Sequence, residues 1–182
     1  EKLFHAQALS NYFIYGPNTS KPFYRAVGPY GMKIVSDILD QFDAALAQLR
    51  GEPSNTTAAA SPPVYHYSAH DITVYGFLVA LGVIVPETTD IHLLVPTFTS
   101  LVRLELYSNA TVTFLFSYCD QAYGTAHDYH VDEAAMIRCM DGAGNVYTAR
   151  NCRIGDLRRY IATKLNITHE AYPPCYAFPK DV

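Results

Sequence analysis

VYHYSAHDITVYGFLVALG, residues Val64 to Gly82, is the stretch on which the reading of the whole chain turns. Val64, Tyr65 and Tyr67 make a short β-favouring run directly after Pro62-Pro63, which predicts a buried strand. Ile72 to Leu81 is apolar for the length of an ordinary helix, and Gly82 supplies a C-terminal stop. His70 and Asp71 stand between the two elements. In an open α/β sheet, ligands bind beyond the carboxyl ends of the strands, where the following helix N-terminus turns backbone N–H groups toward an anion. The pair is therefore a candidate anion site. Opening a helix is the simpler role for the same two residues, so their context has to decide.

Outward from this stretch, Tyr30 to Arg50 carries the clearest helical period. Val35, Ile38, Leu39, Phe42, Leu46 and Leu49 fall on one face, with Gly51 and Pro53 closing the helix. Its carboxylates, Asp37, Asp40 and Asp43, read as a solvated face and not as metal ligands. Leu3, Phe4, Ala8, Leu9, Tyr12 and Phe13 predict an earlier helix ending at Gly16-Pro17. The loop from Asn18 to Pro29 follows, its Arg25 read as a surface charge. Beyond Gly82, Ser100 to Tyr107 and Thr111 to Tyr118 are two β-type runs joined by Ser108-Asn109-Ala110, which predicts an antiparallel hairpin. Asp156 to Leu165 is a last amphipathic helix, with Leu157, Tyr160, Ile161 and Leu165 on one side. His127, Asp128, His130 and Asp132 have the donor types for zinc, but their spacing matches no closed site and a surface loop is expected.

Composition narrows the class. With 49% hydrophobic and 16% charged residues in 182, the chain can bury a core, and a net charge of −4 leaves no basic footprint for nucleic acid. Four sequons begin at Asn18, Asn55, Asn109 and Asn166, each in a predicted loop or at an element end, and favour the secretory pathway: a secreted, lysosomal or cell-surface glycoprotein. Cys119, Cys139, Cys152 and Cys175 lack metal-ligand spacing, so disulfides are expected. Cys139 and Cys152 flank the turn-rich segment from Gly142 to Asn151 and are the expected pair, while Cys119 and Cys175 keep their partners open.

Tyr67-Ser68-Ala69-His70-Asp71, on a strand end with an apolar helix behind it, resembles the second active-site motif of the histidine acid phosphatases. It departs at Ile72, where that family more often has Thr. Leu104-Glu105-Leu106-Tyr107 is similar to the Glu-Leu-Tyr strand that follows the motif helix. The order Cys152, Leu157, Tyr160 loosely resembles the terminal helix, and the helix–loop–strand order upstream extends the likeness to about Leu9. The resemblance implies an α/β fold: part of a histidine-phosphatase-like sheet of parallel strands, with flanking helices and a β-hairpin extension. Hydrolysis of a phosphate monoester through a phosphohistidine is the implied reaction. Asp71 would protonate the leaving oxygen and His70 would donate to the phosphoryl oxygens. Glu105 would be a supporting carboxylate partnered by Arg103. No metal or organic cofactor is implied.

The family's nucleophile lies in an Arg-His-Gly-x-Arg-x-Pro motif. None of His5, His66, His70, His92, His127, His130 and His169 follows an arginine or precedes a glycine. Residues 1–182 thus look like the C-terminal portion of one such domain, with a helix from Glu1 to Tyr12 that has no cap ahead of it. The expected partner is a second polypeptide bearing the N-terminal half, bridged to Cys119 or Cys175, and homo-oligomerisation is compatible with this. Two alternatives are a catalytically inactive surface binding protein with the same fold and a phytase-like relative. The second would need a basic rim that an acidic chain does not supply.

Overall fold

The computed structural model describes residues 30–52, 64–83, 96, 99–119 and 129–165. Its elements are α1 (Tyr30–Leu49), α2 (Asp71–Ala80), β1 (Leu101–Leu106), β2 (Thr111–Cys119), β3 (Tyr129–Val131), β4 (Ile137–Met140), β5 (Val146–Ala149), β6 (Asn151–Arg153) and α3 (Ile154–Leu165). The result is a mixed α/β structure. The expected helix at Glu1 to Tyr12, Arg25, His127, Asp128, Cys175 and the sequons at Asn18, Asn55 and Asn166 lie outside the described residues.

Helix α1 forms where its apolar period predicts. Val35, Leu39 and Leu46 are buried, and Ile38 and Phe42 pack against the core. Leu49 was expected on the same face but is 69% exposed, because the stripe runs into the last turn before the chain reverses at Gly51. Helix α2 packs on α1 and is buried from Tyr75 to Ala80. Both helices stop by the same mechanism. Gly51 N–H bonds the carbonyl of Gln48 and Glu52 N–H that of Ala47; Gly82 N–H bonds Val79 and Val83 N–H bonds Leu78. This pairing satisfies carbonyls that a helix end leaves open, and it needs a left-handed residue, which Gly51 (φ 67°) and Gly82 (φ 70°) provide.

Strand β2 is the axis of the larger sheet. Val112, Phe114 and Phe116 alternate inward, as a half-buried strand requires. A strand has two edges, and β1 occupies one along most of its length, from Leu101 opposite Ser117 to Leu106 opposite Val112. On the other edge β6 takes Thr111 to Thr113 and β3 takes Ser117 to Cys119, with Phe114 N–H to Arg150 O and Asp132 N–H to Phe116 O between them. The β1–β2 hairpin matches the expectation. Its turn closes through Ala110 N–H to Tyr107 O, with Ala110 held at φ 61°, and the Asn109 side chain accepts Thr111 N–H at 3.0 Å.

Two expectations are corrected. The parallel sheet is not what the described residues form, since every ladder is antiparallel. For β1–β2 and β4–β5 the short links are the reason, because parallel neighbours need crossovers of a dozen or more residues. Nor do Val64, Tyr65 and Tyr67 form a buried strand. They are 76%, 40% and 46% exposed, and Val64 to His70 joins no ladder among the described residues. An apolar run becomes a strand only when a neighbour takes up its backbone donors and acceptors.

The β4–β5 hairpin and α3 close the structure. Cys139 and Cys152 form a disulfide from β4 to β6, as their placement predicted. Arg138 N–H bonds Leu81 O and so fastens β4 to the end of α2. Helix α3 begins two residues before the expected Asp156. Ile154, Leu157, Tyr160 and Ile161 are buried. Asp156 accepts the Tyr147 hydroxyl at 2.8 Å and Arg159 at 3.0 Å, and Arg159 also reaches Met140 O at 2.8 Å. Burial, then the bond to Asp156, pushes Tyr147 up to about 12. In the hairpin turn the Asn145 side chain and backbone donate to Asp141, holding its carboxyl below the usual range.

Candidate functional site

Helix α2 is almost wholly apolar and buried except for its first turn, so the residues at its start are left at the surface. His70 is the N-cap, in extended conformation (φ −79°, ψ 161°), and its carbonyl accepts Thr73 N–H at 2.9 Å and Val74 N–H at 3.0 Å. Its imidazole makes no cap hydrogen bond. Asp71 opens the helix, and its Oδ1 accepts Ile72 N–H at 2.8 Å. Both side chains are exposed and stand next to each other on the rim of the buried helix. Chemically the pair offers an imidazole free of capping duty and a carboxyl at the exposed start of the helix, while the N–H groups of Ile72, Thr73 and Val74 are already taken by Asp71 Oδ1 and the His70 carbonyl.

Three residues ahead of His70, the Tyr67 hydroxyl meets the Gln41 side chain of α1, with Gln41 Nε2 donating at 3.1 Å. Gln41 stands off the apolar face of its helix. No motif or periodicity marks a contact across 26 positions.

Glu105 is engaged within its own strand. Arg103 Nε lies 3.0 Å from Oε1, as expected, and the Tyr107 hydroxyl donates to Oε2 at 2.9 Å. These residues share the outer face of β1, while Val102, Leu104 and Leu106 pack on the core. His130 lies beside the Tyr118 ring with centroids 5.9 Å apart, and Asp132 caps a turn by accepting Ala134 and Ala135 N–H. Among the described residues no three His, Cys, Asp or Glu side chains are grouped to hold a metal. No helix among them is long and apolar enough to cross a membrane. Asn109 is exposed at the hairpin turn, and Cys119 is buried at the end of β2.

Two carboxylates of the exposed face of α1 are ion-paired. Arg158 of α3 reaches both Asp40, at 3.0 Å, and Asp43. Beside this contact a cleft of about 320 Å³ opens between α1 and α3, lined by Ser36, Leu39, Arg158, Arg159 and Ile161. Its guanidinium groups are already neutralised by Asp40, Asp43 and Asp156, so the cleft has little excess positive charge to offer an anion. No protein-family model matches the chain, and no curated protein and no solved structure matches it either.

Proposed function

We propose that His70 and Asp71 form half of a phosphate-monoester hydrolase site, with Asp71 as proton donor to the leaving oxygen and His70 as a donor to the phosphoryl oxygens. The observation that carries this reading is the unused imidazole: His70 occupies the N-cap without capping, so helix initiation does not account for its side chain. Support also comes from the Tyr67-to-Asp71 motif and its likeness to the histidine acid phosphatases.

The released alkoxide is a poor leaving group, and a positioned acid contributes about 10²–10⁴ in rate. Asp71 can carry the proton on Oδ2 while Oδ1 keeps Ile72 N–H, so donation need not open the helix. The His70 imidazole N–H donates to the phosphoryl oxygens, and the positive end of the helix dipole favours the anion there. The attacking histidine comes from a segment that is not in residues 1–182, where no Arg-His-Gly occurs. That same absence favours the second reading, an inactive binding protein of the same fold. Vanadate titration of the complete protein tests the role of His70: His70→Ala weakens binding and turnover together, and unaltered vanadate affinity would reduce His70 to a structural residue.

A further inference from the structure

The His70–Asp71 pair is held firmly from one side. The His70 carbonyl is bonded by Thr73 and Val74, and α2 is anchored by its buried turns from Tyr75 onward. The approach from the other side is different. Val64 to His70 runs exposed and joins no ladder among the described residues. Tyr67 interrupts this stretch. Its hydroxyl donates to Gln41 Oε1 at 3.4 Å and accepts Gln41 Nε2 at 3.1 Å. Tyr67 lies three residues ahead of His70, so this contact ties the segment that leads into the pair to α1.

We propose that Gln41 is a positioning residue for the His70–Asp71 pair, acting through the Tyr67 hydroxyl. The inference rests on reading that pair as the site. Gln41 belongs to α1, whose apolar residues Leu39 and Phe42 on either side of it face the core, so the tether starts from a rigid element. Arg158 holds the same stretch of α1 from the opposite partner helix through Asp40 and Asp43. The amide is able to donate and accept at once, which suits a hydroxyl that does the same. A glutamate in its place keeps an acceptor for the tyrosine O–H.

The test compares Gln41→Ala, Tyr67→Phe, the double variant and Gln41→Glu in the complete protein, by backbone NMR order parameters at Ser68 to His70 and by vanadate affinity. Each single removal lowers the order parameters at Ser68 to His70, leaves those of Leu78 to Ala80 unchanged and weakens vanadate about 2- to 10-fold, the range of one modest hydrogen bond. The double variant is no worse than either single, because both remove one interaction. Gln41→Glu restores the order. Unchanged order at Ser68 to His70, or additive losses in the double variant, would overturn the tether. Failure of the wild-type protein to bind vanadate would instead overturn the site reading, and the positioning role with it, even if the order parameters respond as expected.

Discussion

At the scale of single residues, local geometry makes two glycines unequal. Gly51 and Gly82 share a left-handed φ, but a Cβ at Gly51 meets open space, whereas at Gly82 it would lie 2.6 Å from the Tyr160 hydroxyl and 2.9 Å from Arg138 Cβ. Gly51→Ala should cost about 1–2 kcal/mol, the left-handed penalty alone, and Gly82→Ala distinctly more; urea midpoints of the two variants compare them directly. Equal losses would mean that the α2–β4 contact yields freely. Tyr147 gives a pH signature. Unfolded tyrosine ionises near 10, while Tyr147 keeps its proton to about 12 because it is half-buried and bonded to Asp156. Its contribution to stability is complete below pH 10 and is lost as pH rises toward 12. Wild-type stability should therefore fall more steeply across that window than the stability of Tyr147→Phe, and parallel curves would contradict the assignment.

Elements with a strong period or a defined stop were legible in the sequence: α1 from its apolar face, α2 from its apolar run and Gly82, and the β1–β2 hairpin from its turn. The disulfide was legible too, because its cysteines flank a turn-rich segment, and it closes a loop of sequence separation 13. Loops of that size are worth about 3 kcal/mol, so reduction should lower the urea-unfolding free energy by about that amount and loosen β4 from β6; a reduced protein of unchanged stability would contradict this. Val64 to Tyr67 was misread for a physical reason. β-propensity describes how a residue fits a paired, half-buried surface, and it cannot supply the pairing. The antiparallel ladders were missed outside the hairpin because β3, β4, β5 and β6 are three or four residues long, too short to show a period. At the site, adjacency made His70 and Asp71 visible, whereas the Gln41–Tyr67 and Arg158–Asp40 contacts join residues far apart in the chain and have no sequence signal.

For the molecule as a whole, one side is knit by the sheet, the disulfide and the Tyr147–Asp156–Arg159 cluster. The His70–Asp71 pair lies at the start of α2, next to an extended segment that presents Val64, Tyr65 and Tyr67 to solvent. Under the proposed function, a further segment would bring the attacking histidine and cover these exposed apolar side chains. Proton donation from Asp71 to the leaving group is the step on which the proposed function turns. It is tested most directly by the turnover of a phosphate monoester by the complete protein carrying Asp71→Asn, measured beside vanadate affinity. Turnover should fall at least about a hundredfold, the low end of general-acid effects, with vanadate affinity near that of the wild type; near-normal turnover would contradict the account.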